Sequence, residues 1–111
     1  MENVNPSDDE LNEAAAKLCG YPVLPIGYPD FCHDRNLTQD LFLAVADRKA
    51  KGKYWHEMKW VIIRAFDEYP TCWDMFMASP RMQAEAALRA CNAWPIEWDA
   101  KAREEKRIGA I

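Results

Sequence analysis

The sequence predicts a small α+β domain, in which a short antiparallel sheet packs between three to five helices. Three segments repeat apolar residues at helical spacing behind clear capping residues, over 8–19, 37–50 and 79–93. A fourth segment, 71–78, is a short and mostly apolar run after a Tyr-Pro pair, which is typical of a buried strand. A chain of 111 residues rarely divides its core, so one domain is expected.

The first helix is predicted over 8–19 and begins at a capping box. The Ser7 hydroxyl can accept the amide hydrogen of Glu10, while the Glu10 carboxylate reaches back to the amide of Ser7. Gly20 supplies a left-handed stop. One face of this helix carries an apolar stripe of Leu11, Ala14, Ala15 and Leu18.

The second helix is predicted to begin after Asn36, with Gln39 at its N3 position and with Gly52 as its breaker. Its apolar stripe consists of Leu37, Leu41, Ala44 and Val45. Before it, residues 21–29 contain three prolines and a glycine, so they are predicted as an edge segment or loop.

The segment 54–66 is ambiguous, because an apolar helical face competes with a β-branched run at 61–63. A helix is favoured there, on a face of Tyr54, Met58, Val61, Ile62 and Ala65. Ser79 as N-cap and Pro80 as first helical residue then mark the clearest helix start in the chain. Glu85 and Arg89 add an i,i+4 pair to this last core helix.

The predicted domain covers 8–94, after a disordered N-terminus at 1–7 and before a charged helical tail at 95–111. Acids and bases alternate along this tail at helical spacing, as in Glu97–Lys101 and Asp99–Arg103. Trp94 and Trp98 lie one turn apart and are predicted as exposed. Because tryptophan is enriched at interface hot spots, they are candidate partner contacts. The alternative is that Trp98 folds back over the first helix.

The composition is that of a cytosolic protein. The net charge is −4 with a pI near 5.1, which disfavours non-specific binding to phosphate backbones. The four cysteines form no CxxC pair, so reduced and mostly buried thiols are expected, with no metal and no cofactor. The polar N-terminus is not a signal peptide, and no apolar run is long enough to span a membrane.

The stretch DFCHD places chemically versatile side chains close together, at Asp30, Cys32, His33 and Asp34. Adjacent side chains diverge in extended backbone, which disfavours a metal site or a Cys/His catalytic pair. We therefore favour a structural loop, in which Asp34 or Asn36 caps the second helix while Phe31 and Cys32 pack inside. A loop that contacts a ligand through Asp30, His33 and Asp34 remains the alternative.

The basic run RKAKGK at 48–53 precedes Tyr54 and Trp55, and such interleaving can bind single-stranded nucleic acid. A solvated helix end is favoured, because cations also suit a helix C-terminus and the whole chain is acidic. None of the motifs GxGxxG, GxxxxGK[ST], HExxH or GxSxG occurs, so an enzyme is not favoured.

Two segments, PDFCHDRN and ASPRMQAEAALRACNAW, resemble those of the phage ABA sandwich domain family. The second is similar to the pattern A-T-x-x-Q-R-A-E-A-x-L-R-x-x-G-x-W through Ala78, Ser79, Gln83, Ala84, Glu85, Ala86, Leu88, Arg89 and Trp94. It departs at 80–82 and at Asn92, where the family often has glycine. The resemblance covers roughly 8–94. It implies a layered α/β/α sandwich and a phage genome, and it supplies no catalytic residues.

The expected function is therefore a phage accessory protein that binds a host protein or ribonucleoprotein in the host cytoplasm. Inhibition of a bacterial defence complex, in the manner of anti-CRISPR proteins, is the favoured form of it. Neither nucleic acid nor membrane is the expected partner, and a homodimer is compatible with the sequence. The candidate partner-binding residues are Trp98, Trp94, Glu97, Asp99, Asp8 and Asp9. The alternatives are a nucleic-acid-binding regulator, and a ligand binder or enzyme that uses Asp30, His33 and Asp34.

Overall fold

Helices form all the regular structure of residues 6–22 and 27–100, which are the residues described by a computed structural model of this chain. The elements are α1 (Asp8–Leu18), a 3-10 turn (Arg35–Leu37), α2 (Thr38–Asp47), α3 (Lys51–Phe66), α4 (Cys72–Phe76) and α5 (Pro80–Ala90). Residues 96–100 are helical again. The described residues contain no strand, so the prediction of an α+β sandwich with a short sheet is wrong.

Helix α1 confirms the predicted capping box and stop. The amide of Glu10 donates to the Ser7 hydroxyl over 3.2 Å, and the amide of Ser7 donates to the Glu10 carboxylate over 3.2 Å. Gly20 has a φ of +79°, and the amide of Tyr21 donates back to the carbonyl of Ala16 over 2.9 Å. This left-handed closure satisfies a carbonyl that the helix end would otherwise leave unpaired.

Helix α2 corrects two details of the prediction. No side chain caps its start, so the proposed role of Gln39 is wrong; the helix instead continues from the 3-10 turn. Its end comes before Gly52, because Lys49 takes a left-handed φ of 55° and the amide of Ala50 donates to the carbonyl of Val45 over 3.0 Å. Gly52 lies inside the first turn of α3, where it breaks nothing.

Helix α3 confirms the helical alternative for 54–66. Tyr54, Met58, Val61 and Ile62 are buried on one face, whereas Ala65, predicted on the same face, is exposed. The β-branched run is accommodated because the face it belongs to packs against α5.

Helix α4 overturns the prediction of a buried strand at 71–78. The amide of Asp74 donates to the Thr71 hydroxyl over 3.2 Å, and the amide of Thr71 donates to the Asp74 carboxylate over 2.8 Å. This reciprocal cap begins a one-turn helix. Its large side chains Trp73 and Phe76 are exposed.

Helix α5 is the centre of the packing, since it contacts α1, α2 and α3. Ser79 caps it by accepting the amide of Met82 over 3.2 Å, and Pro80 is its first residue, as predicted. The predicted core stripe is fully buried at Ala84, Ala87 and Leu88 and half-buried at Cys91. Within the described ranges, none of the helices combines the length and apolar character needed to cross a bilayer.

Candidate functional site

The loop at 30–34 is a structural junction. Asp34 accepts the amide of Asn36 over 2.9 Å and so caps the 3-10 turn that leads into α2, and Phe31 and Cys32 are buried. The prediction that Phe31 and Cys32 pack inside is thereby confirmed. The prediction that Asp34 or Asn36 caps the second helix is wrong, because Asp34 caps the 3-10 turn and no side chain caps α2. His33 Nδ1 lies 3.0 Å from the carboxylate oxygens of Asp30, and this hydrogen bond lowers the pKa of Asp30.

Two polar side chains of neighbouring helices fasten this loop. Buried Asn12 accepts the amide of Cys32 over 3.0 Å and donates to Asp30 over 3.3 Å. Arg81 of α5 donates to the Cys32 sulfur over 3.8 Å, and also to the carboxylate of Asp8 and the carbonyl of Pro6. Burial raises the pKa of the Cys32 thiol to about 12, so the thiolate needed for nucleophilic or metal-binding chemistry is disfavoured. No group of three His, Cys, Asp or Glu in the described part of the chain could hold a metal ion.

The predicted partner contacts Trp94 and Trp98 lie against the core instead of standing in solvent. Both are half-buried, with their rings edge to face at 4.9 Å, so the prediction of an exposed pair is wrong. Asp99 accepts two hydrogen bonds from Arg89, at 2.8 and 3.1 Å, and one from the Trp94 indole at 3.2 Å. Glu97 is exposed. The pairings of Glu97 and Asp99 with 101 and 103 fall outside the described residues.

The Asp99–Arg89 pair predicts how the stability of the fold depends on pH. The hydrogen bonds from Arg89 lower the pKa of Asp99, so the ionised carboxylate stabilises the folded state above its unfolded pKa of about 4. That stabilisation is lost as the pH falls through the lower, folded pKa. We expect Asp99→Asn to lose less thermal stability than the wild type between pH 7 and pH 3, measured by circular dichroism. Equal losses would show that the Asp99–Arg89 pair does not contribute.

The acidic residues of α1 are mostly engaged within the chain. Asp8 pairs with Arg81 and lies 3.5 Å from His33 Nε2. Glu13 pairs with Lys17 at 3.3 Å and accepts a hydrogen bond from Tyr28. Asp9 is exposed. Of the four carboxylates predicted as partner contacts, Asp8 and Asp99 form ion pairs within the fold, whereas Asp9 and Glu97 are exposed.

One of the two aromatic residues that follow the basic run at 48–53 is buried in the core. Tyr54 is buried, and burial raises the pKa of its hydroxyl, whereas Trp55 is partly exposed. Arg48 donates to the carbonyl of Ala44 over 3.2 Å at the end of α2. Arg48 and Lys49 follow the end of α2, where cations suit the helix dipole, whereas Lys51 and Lys53 lie in the first turn of α3, where they do not. The burial of Tyr54 removes one of the two aromatic rings on which a nucleic-acid base could stack.

Five exposed large apolar side chains lie close together where α3 leads into α4. Phe66, Tyr69, Trp73 and Met77 line one groove of about 490 Å³, and Phe76 stacks on Trp73 with ring centroids 6.1 Å apart. The exposed fractions of Phe66, Tyr69, Trp73, Phe76 and Met77 are 64%, 77%, 68%, 66% and 48%. We call these five residues the aromatic surface.

A separate apolar cavity of about 540 Å³ opens on the other side of α4. Its apolar walls come from α2, α3, α4 and the residue after α4, and consist of Phe42, Val45, Tyr54, Trp55, Met75, Phe76 and Met77. Phe76 and Met77 thus belong to both the cavity and the aromatic surface. Four polar side chains also line it, namely Arg35, Thr38, Lys51 and Gln83. The volume lies in the range of small-molecule sites.

Sequence reasoning missed both features. A local signal existed for the aromatic surface, since Thr71 and Asp74 have the spacing of a capping box ahead of an apolar run. A helix of one turn with apolar residues on every side cannot bury them all. No local signal points to the cavity, because its walls come from separate helices. Asp30, His33 and Asp34, the candidate ligand loop, line neither the cavity nor the groove.

Comparisons with known proteins give no assignment. No protein-family model matches the chain, and neither the curated proteins nor the solved structures give a significant match.

Proposed function

We infer that this protein binds another protein through its aromatic surface. The single observation that supports this is the exposure of five large apolar side chains on one connected face of α3, α4 and their linker. Connected apolar patches with a polar rim are typical of interaction sites. Tryptophan and tyrosine, here Trp73 and Tyr69, are also the side chains most enriched among binding hot spots.

The rim of the aromatic surface carries both signs of charge. Glu68 and Asp74 line the groove together with Arg35, and Lys59 Nζ lies 5.8 Å from the Tyr69 ring centroid. Two carboxylates in the groove repel a phosphate backbone, whereas a mixed rim can complement the polar rim of a protein. The charge pattern therefore supports a protein partner over nucleic acid.

The resemblance to phage proteins supports a narrower form of this proposal. The partner would be a bacterial host protein or ribonucleoprotein of a defence complex, met in the host cytoplasm and inhibited by occupation of its surface. The net charge of −4 is compatible with a partner surface that is basic around an apolar centre. In this proposal the contact residues lie on the aromatic surface, and the tail residues Trp94 and Asp99 hold the fold.

The test compares three baits in a bacterial lysate: the wild type, the double variant Trp73→Ala/Phe76→Ala, and Ile96→Ala. Ile96 is the matched control because it is an exposed apolar residue outside the aromatic surface. We expect a protein captured by the wild type and by Ile96→Ala to be lost from the double variant. With the purified partner, the double variant should bind about 30-fold more weakly, as expected for hot-spot truncation.

Circular dichroism should show that the double variant melts like the wild type, since both truncated side chains are exposed. A partner that the folded double variant retains at full affinity would place the interface elsewhere. Light scattering that shows a wild-type dimer, separated into monomers by the double variant, would assign the aromatic surface to a second copy and contradict the host-partner proposal.

A further inference from the structure

Gln83 lines the apolar cavity and carries a buried acceptor without a donor. Its side chain lines the cavity from α5 and only 5% of the residue is exposed. Its Nε2 donates to the carbonyl of Ala78 over 3.1 Å, which fixes the orientation of the amide. Its Oε1 is buried and has no hydrogen-bond partner among the described residues. Such an acceptor destabilises a fold unless something supplies a donor.

Two of the polar side chains that line the cavity with Gln83 already donate hydrogen bonds to backbone carbonyls. The Thr38 hydroxyl donates to the carbonyl of Arg35 over 2.7 Å, so its single hydrogen is used. The Arg35 guanidinium donates to the carbonyl of Ala78 over 3.2 Å and to that of Met77 over 3.5 Å. The donor for Gln83 Oε1 is therefore expected to come from a molecule that enters the cavity.

The walls of the cavity suit a flat ring system. The rings of Phe42 and Tyr54 lie edge to face at 5.4 Å, and those of Tyr54 and Trp55 at 5.0 Å. Phe76 of α4 lines the same space. Aromatic side chains in such arrangements present ring faces and edges on which a further ring can pack. The cavity volume accommodates more than one ring.

The mouth of the cavity is positively charged. Arg35 and Lys51 are exposed where they line it, while Gln83 is buried. No aspartate or glutamate is found among the residues that line this cavity in the described part of the chain. A ligand with an anionic group at its outer end is therefore favoured over a cationic one.

We propose that the apolar cavity is a binding site for a small aromatic acid that carries a hydroxyl or N–H donor at its buried end. The donor bonds to Gln83 Oε1, the rings pack among Phe42, Tyr54 and Trp55, and the anionic group meets Lys51 and Arg35. This site shares Phe76 and Met77 with the aromatic surface, but the residues that bind the ligand in this proposal, Gln83, Tyr54 and Lys51, do not belong to that surface. Neither proposal depends on the other.

The test uses two probes that differ in one group, 6-hydroxy-2-naphthoate and 6-methyl-2-naphthoate. Both carry the same rings and carboxylate, and only the first can donate a hydrogen bond to Gln83. We expect the hydroxyl probe to bind the wild type about 10-fold more tightly, the effect of one buried hydrogen bond. Titration by NMR should shift the amides of Val45, Tyr54 and Gln83 and leave those of Tyr69 and Trp73 unchanged.

Two variants make the assignment specific. Gln83→Met keeps the length of the side chain and removes the acceptor, and Arg35 still satisfies the carbonyl of Ala78. This variant should fold and bind both probes equally. Lys51→Gln should weaken both probes by the same factor, about 2- to 5-fold, because it removes only charge at the mouth.

Failure to bind either probe, or equal affinity of the wild type for both, would overturn the proposal. Shifts confined to Tyr69 and Trp73 would likewise overturn it, because the probes would then bind the aromatic surface. The outcome of this titration does not depend on the pull-down with Trp73→Ala/Phe76→Ala, because the titration measures the chemical shifts of amides around the cavity.

Discussion

Replacing Leu88 with alanine is expected to lower the free energy of unfolding by about 2–5 kcal/mol. Leu88 is fully buried in the middle of α5, the helix that contacts α1, α2 and α3. Truncation removes apolar surface from the core and leaves a cavity, and both effects destabilise the folded state. Several small side chains surround this position on α5, including Ala84 and Ala87, so little can move in to fill the space.

Leu43→Ala is the matched control, because it makes the same substitution on the exposed surface of α2. Chemical denaturation should give a change within about 0.5 kcal/mol for this variant. If Leu88→Ala differed from Leu43→Ala by less than 1 kcal/mol, the central position of α5 would be wrong.

The helices that sequence reasoning located correctly are those with local signals at their ends. Ser7 with Glu10 and Ser79 with Pro80 fix the starts of α1 and α5 through contacts within one turn. The helical spacing of apolar residues then predicts which faces of α1 and α5 are buried. Those interactions lie within a few residues of one another, so the sequence alone contains them.

The segment 71–78 shows where this reasoning fails. A short apolar run does not distinguish a buried strand from a helix by its period. The T-x-x-D spacing of Thr71 and Asp74 indicates a helix start, yet the apolar character of Trp73, Phe76 and Met77 suggested burial. A strand also needs a second strand with which to pair, and 71–78 is the only segment that the sequence analysis clearly predicts as a strand. The fold, which is helical throughout the described ranges, leaves those side chains exposed on the aromatic surface.

The ion pair that Asp99 forms with Arg89 could not be predicted from local spacing. Spacing along one helix predicts a partner for Asp99 at position 103, which lies outside the described residues. The contact with Arg89 spans ten residues and depends on how the chain reverses at Trp94 and Pro95. No local pattern encodes it. The same holds for the apolar cavity, whose walls come from α2, α3, α4 and α5.

Phe31→Ala is expected to have the largest effect in the chain, a loss of about 3–5 kcal/mol of unfolding free energy. Phe31 is fully buried, and its ring lies edge to face with that of Tyr21 at 5.7 Å. It is the apolar anchor of the loop whose neighbours Asp30, His33 and Asp34 are candidate functional residues. If that loop is structural, its stability should depend on Phe31 and not on the exposed imidazole beside it.

Two comparisons make the result decisive, with unfolding followed by urea titration. Phe76→Ala makes the same substitution on an exposed ring and should change stability by about 0.5 kcal/mol or less. His33→Ala removes a mostly exposed side-chain contact with Asp30 and should also change stability by less than about 1 kcal/mol. A large loss in Phe31→Ala alone would establish that the loop holds α1 against the rest of the core. If Phe31→Ala were tolerated and His33→Ala abolished partner or probe binding, the loop would be a functional site and its structural assignment would be wrong.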